Sequence, residues 1–196
     1  MRAALPLVLF TAAGCRFHFD PVAGDSIDGD ATTAGDVLGD GLVDGTNVTP
    51  FTIYIEAESG LVASLFQLQS TGPETYAIDT NLAGETGPGS VSFTVRIFEA
   101  GDYYLWARVL TQDSTTDAFN VTFGSHGPFV YDTSECMFSG LWHWTRMRVD
   151  GTCVPLSAPR AFALQPGDTT LLVASREGGS RVDKLVVTNL VDLVPQ

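Results

Sequence analysis

The chain has 196 residues, 44% of them hydrophobic and 17% charged, enough for one sandwich-sized domain with extra segments and too little for two full domains. Its formal net charge of -13 excludes nucleic acid and anionic membrane surfaces as partners, because phosphates repel it and no basic patch gathers them.

The chain opens with MRAALPLVLFTAAGC: one arginine, an apolar run from Ala3 to Phe10, then small residues up to Cys15. The run is too short to span a bilayer, which takes about 20 residues, and residues 1–14 read as an export signal. The ending Ala12-Ala13-Gly14-Cys15 resembles the lipobox of bacterial lipoproteins, with Ala12 where leucine is usual. That likeness implies cleavage before Cys15, acylation of its thiol and a lipoprotein of the outer membrane or cell surface; a plain secretory signal with an incidental cysteine is the alternative. Several acyl chains hold firmly where one binds marginally, each buried methylene adding about 0.8 kcal/mol. With Cys15 lipidated, Cys136 and Cys153 are left to pair in an oxidising compartment, a bridge worth roughly 3 kcal/mol, or to stay as buried thiols.

Residues 15–50 are poor in large apolar side chains and rich in Gly, Thr and Asp, including Asp20, Asp25, Asp28, Asp30, Asp36, Asp40 and Asp44. So little apolar surface cannot offset the entropy of ordering, and this segment reads as a self-repelling, extended tether. Its acids lack the spacing of a helix–loop–helix calcium loop, leaving weak calcium capture as a minor reading.

Residues 51–193 change to short alternating runs separated by Gly, Pro, Asp and Asn, which predicts an all-β domain. In IYIEAES, Ile53, Ile55 and Ala57 share one face while Tyr54, Glu56 and Glu58 share the other. Two carboxylates so placed repel unless both are solvated or share a cation. A strand is expected near Tyr76. SVSFTVRI then turns at EAGD into YYLWARVL, predicting a hairpin. AFNVTFG, LWHWTRMRV, RAFAL, TTLLVAS and RVDKLVVTN complete about eight or nine strands, enough for a two-sheet β-sandwich of jelly-roll type. Trp106 and Trp144 are assigned to the core, since large aromatics in alternating strands usually pack. Alternation also puts Asp183 on the face of Leu185 and Val187, among apolar groups where a lone carboxylate is costly. Its partner is either calcium or a salt bridge to Arg176, Arg181 or Lys184.

The order of IEAES, GDYYLWARV, DAFNVTFG, GLWHW, FALQPGDTTLLVASREGG and RVDKLVV across residues 51–191 resembles carbohydrate-binding modules of the family 6, 35 and 36 type. The resemblance implies a galactose-binding-like β-jelly roll with a structural calcium held by the paired acids of the first strand and an aspartate of the last. Glu56, Glu58 and Asp183 occupy those positions. It also implies a sugar site of one tyrosine, one tryptophan and one asparagine. Tyr76 and Trp142 match the first two, Trp142 being open to a core role as well. Arg181 stands at the asparagine position, where a bidentate guanidinium favours an acidic sugar.

No catalytic site is expected. His126 and His143 lack triad spacing, and paired glycosidase carboxylates act from opposite sides of a bond, not usually from one short strand as Glu56 and Glu58 would. Two functions follow as expectations. One is a non-catalytic, calcium-stabilised module that binds a polysaccharide or glycan on the bacterial envelope, alongside other envelope proteins and touching the membrane only through its lipid. The other is a structural or adhesion sandwich without sugar recognition.

Overall fold

In the computed structural model, residues 49–134, 138, 140–150 and 157–196 are described. Cys15, Cys136 and Cys153 lie outside them, as do the export signal and all but the last two residues of the tether segment.

Alternation in the sequence becomes twelve strands: β1 Thr52–Glu56, β2 Leu61–Ser64, β3 Phe66–Thr71, β4 Glu74–Asp79, β5 Gly89–Ile97, β6 Gly101–Leu110, β7 Ala118–Phe123, β8 His126–Asp132, β9 Trp142–Arg146, β10 Phe162–Leu164, β11 Gly167–Ser175 and β12 Arg181–Thr188. They form two antiparallel sheets facing each other across one core, which is the sandwich expected from the sequence. One sheet has five strands in the order β2-β5-β11-β7-β8. The other has seven and is centred on β6 and β12; β9 and β10 lie along the free side of β6, and β1 and β4 along the free side of β12, with β3 beyond β4.

Nine of the strands answer to the runs singled out in the sequence; β2, β3 and β8 do not. All three are sheet edges, where one face and one row of backbone groups meet water and the apolar alternation fades. Along β3, FQLQST, only Phe66 is buried. Strand β8, HGPFVYD, carries the Gly-Pro pair of a turn, and proline fits an edge because its missing N–H is not needed there.

The expected hairpin of β5 and β6 does not form. The two strands belong to opposite sheets, and the turn between them crosses the sandwich. Each has an apolar row, Val91, Phe93, Val95 and Ile97 on β5 and Tyr103, Leu105, Ala107 and Val109 on β6, and both rows join the same core. Strands pairing side by side point these rows in one direction; placed in facing sheets, they bury them against each other.

Two local features set up the functional face. A 3-10 turn, Ala57–Ser59, ends β1, and Gly60 after it presses on β5 so closely that a Cβ there would lie 2.4 Å from Val91 Cγ2. Beside the last strand, the Asn189 side chain accepts a hydrogen bond from Phe51 N and donates one to Thr49 O, each 2.8 Å, joining the chain entering the domain to the chain leaving β12.

Candidate functional site

The outer face of the seven-stranded sheet is built by parity. On β6, Tyr104, Trp106, Arg108 and Leu110 alternate with the core row and point away from it. Register then places Trp142, Leu110 and Arg181 side by side, then Trp144, Arg108, Lys184 and Glu56, then Arg146, Trp106, Val186 and Tyr54.

A β-bulge at Asp183 breaks the alternation assumed from the sequence. Val182 and Leu185 both reach the core, two residues intervening, so Asp183 leaves the face of Leu185 and lines the outer cleft, 2% exposed. Its partner is none of the three cations named from the sequence: Arg108 donates to Asp183 Oδ2 from 2.5 Å, with Glu74 Oε1 3.5 Å from the same guanidinium. Lys184 donates instead to Glu56 Oε1 at 2.7 Å, and that bond, more than the nearby Asp183 charge, raises the Lys184 pKa.

Glu56 and Glu58 do not sit together on one strand, since β1 ends at Glu56 and Glu58 belongs to the 3-10 turn. Both nevertheless line one cleft of about 420 Å³ with Glu74, Asp183, Arg108 and Lys184. Four carboxylates against two cations leave negative charge in excess, and hard oxygens are the donors calcium takes, so the residues fit that ion in kind. Their present arrangement commits Asp183 to Arg108 and Glu56 to Lys184, and no group of three or more His, Cys, Asp or Glu side chains among the described residues is arranged to hold a metal.

A second cleft of about 510 Å³ shares Glu56, Arg108 and Lys184 with the first and continues over Tyr54 and Trp144 to Gln196. The two form one groove with aromatic groups beside it. Tyr76 and Trp142 are brought together, ring centroids 5.2 Å apart and tilted by 59°, with the Arg108 guanidinium 5.5 Å from the Trp142 ring. Rings so close touch each other and make a single platform, with no slot for a sugar between them. Arg181 lies on the same face, and its buried Nε has no hydrogen-bond partner among the described residues.

Trp106 is buried as expected, 8% exposed, though on the outer face of the sheet, whereas Trp144 is only half-buried and is not a core residue. Trp144 stands edge-on to Tyr54, centroids 6.4 Å apart, and Tyr54 is 52% exposed. Trp106 lies under the Arg146 guanidinium at 5.2 Å. The signal for this was in LWHWTRMRV itself: Trp142, Trp144 and Arg146 are two apart and share one strand face.

Away from the groove, Asp117, Asp132 and Glu177 converge where β7, β8 and the β11–β12 turn meet. Glu177 Oε2 accepts a hydrogen bond from Asp117 N at 3.1 Å. Burial first, then sharing a proton with Glu177 and the charge of Asp132, pushes the Asp117 carboxyl up to about 7.

With this geometry in hand, solved structures place the fold. A family 35 carbohydrate-binding module from Clostridium thermocellum matches with TM-score 0.50 and 15% identity, covering 70% of this chain and 97% of that one. The chain has the fold of a carbohydrate-binding module. The GH26-CBM35 β-(1,4)-mannanase of Podospora anserina matches at TM-score 0.51 and 13% identity, covering 74% of this chain and 29% of the enzyme. An isomalto-dextranase of Arthrobacter globiformis T6 complexed with panose matches at 0.51 and 14%, over 69% of this chain and 23% of that one. No protein-family model matches the sequence, and no curated protein is similar to it.

Proposed function

We propose that this chain is a non-catalytic carbohydrate-binding module, exported and displayed on the bacterial envelope through acylated Cys15. The observation that carries the reading is the groove on the outer sheet face, lined by Tyr54, Trp144 and Arg108, with Trp142 against the same Arg108 guanidinium and in contact with the buried Tyr76. Sugar rings stack their C–H faces on aromatic rings, while charged and amide groups between such platforms take up the hydroxyls. Arg181, on the same face beside Leu110, is proposed as a further contact, its guanidinium suited to an acidic sugar. The fold supports the reading, being that of modules which bind polysaccharide.

Calcium is proposed as a structural ion, held by Glu56, Glu58 and Asp183 in competition with Lys184. Its chemistry would be neutralisation of crowded carboxylates. Other envelope proteins are proposed as neighbours rather than ligands.

A glycan array probed with the natural protein, Trp142→Ala and Trp144→Ala tests the reading. Binding that both substitutions weaken supports it; no glycan bound, or binding indifferent to both, overturns it. One observation favours the alternative of a structural or adhesion sandwich: the direct contact of Tyr76 and Trp142, which closes the space between them.

A further inference from the structure

Past β12 the chain turns back, Leu190 N donating to Thr188 Oγ1 at 3.1 Å and Leu193 N to Leu190 O at 3.2 Å. Residues 190–196 then reach two places on the outer face of the seven-stranded sheet. Arg146 on β9 donates to Val191 O at 2.6 Å, and Gln196 lines the groove beside Tyr54 and Trp144.

The sheet at this end is covered on its outer side. Val186 is fully buried although it is Leu185 and Val187, not Val186, that join the apolar cluster between the sheets; Trp106 beside it is 8% exposed and likewise lies outside that cluster. A residue on the solvent side of a sheet loses all contact with water only under a cover. Tyr54 and Trp106 flank Val186 in register, Arg146 lies over Trp106, and Pro195 is buried.

This cover is weakly seated. Leu190, Val191 and Val194 are 39%, 41% and 68% exposed, so much of the apolar surface of the segment faces water rather than the sheet. It also leaves a defect beneath, for Trp106 Nε1 is buried with no hydrogen-bond partner among the described residues. An N–H withheld from water without an acceptor is destabilising, and the strain is relieved when the group is uncovered or offered an oxygen.

We infer that residues 190–196 form a strap, clipped by Arg146, that closes one end of the groove over Trp106 and so sets how long a saccharide the groove accepts. With the strap lifted, Trp106 becomes a third aromatic platform beyond Trp144, and its N–H a donor to a sugar hydroxyl. The inference rests on the carbohydrate reading for its ligand, though not for the motion of the strap.

Two readouts separate those parts. In a chain with Trp142→Phe and Trp144→Phe, Trp106 is the one remaining tryptophan of the three, and acrylamide quenching reports its exposure without any sugar. Deleting residues 190–196 should raise the quenching constant severalfold, and Arg146→Gln, which keeps the chain length, should raise it less, both with a cooperative melt retained. Unchanged quenching in both variants shows that the segment does not cover Trp106, and loss of the cooperative melt in both makes it an integral part of the fold; either result overturns the strap. With the natural tryptophans, the deletion should tighten binding of a long neutral gluco-oligosaccharide more than that of a short one. An equal effect on both overturns control of groove length. If neither oligosaccharide binds any form, the quenching result alone decides the strap, and the glycan array decides the carbohydrate reading.

Discussion

Glu56 and Lys184 are register partners across β1 and β12, and their side chains meet on the outer face with Nζ 2.7 Å from Oε1. The pair closes the mouth of an acidic cleft with a cation that the chain itself supplies, and calcium and Lys184 therefore compete for one carboxylate. Lys184→Met should cost less than about 1 kcal/mol without calcium, since both partners are partly exposed and the pair is screened by water. It should also strengthen calcium binding. Thermal melting of the full chain with calcium and with chelator checks this: a larger calcium-induced rise in Tm for the variant is expected. A response equal to or smaller than that of the natural protein removes Lys184 as the competitor.

Arg108 should matter far more. Asp183 is 2% exposed, and without the guanidinium its buried charge has lost its nearest partner. Breaking such a pair costs about 3 kcal/mol or more, whereas replacing both members together is much milder. Urea denaturation of Arg108→Met, and of Arg108→Met combined with Asp183→Asn, measures the difference. The double variant should recover most of the loss; a double variant as unstable as the single one shows that Arg108 acts through packing on Trp142 instead.

The carboxyl cluster of Asp117, Glu177 and Asp132 predicts an acid-favoured fold. Asp117 holds its proton up to about pH 7 in the folded state but gives it up at an ordinary aspartate pKa when unfolded. Between those values the folded chain binds more protons, so stability falls as pH rises. The contribution is complete below the unfolded pKa and lost as the pH passes through about 7. Melting temperature should therefore decline from pH 5 to pH 8, and Asp117→Asn should flatten that decline. A slope untouched by the substitution places the pH response elsewhere.

For the groove, Trp144→Ala and Trp142→Ala should each weaken glycan binding about tenfold, about 1.4 kcal/mol, if each platform carries one sugar ring. Isothermal titration against the strongest ligand of the array measures both. An effect confined to Trp142 restricts recognition to the Tyr76 platform.

Much of this architecture was legible in the sequence because a half-buried strand writes its burial as alternation. Val91, Phe93, Val95 and Ile97 gave β5 and its inward face directly. What was illegible has physical causes. Partnership between strands is a long-range matter, and a short turn at EAGD is compatible with a hairpin or with a crossing between sheets. A bulge is invisible to parity, so parity puts Asp183 on the wrong face and gives no sign of its guanidinium partner, 75 residues earlier on β6. Bulk usually means burial, which points Trp144 to the core, yet its spacing from Trp142 and Arg146 marks an outer face. The placement of Tyr76, Trp142 and Arg181 on one face was carried by resemblance and not by any local pattern.

The Asn189 clasp has a consequence for where this domain can be installed. Its amide touches both Thr49 and Phe51, so the chain arrives and departs within one side chain's length on the same corner of the sandwich. Joined to a host directly after Asn189, such a unit can be spliced into a surface loop without prying that loop apart, or swung from a single strand as a pendant. Residues 190–196 run on from that corner to the groove, where Gln196 lies beside Tyr54 and Trp144, so a host joined after Gln196 would share the ligand's surface, and one joined at Asn189 would not.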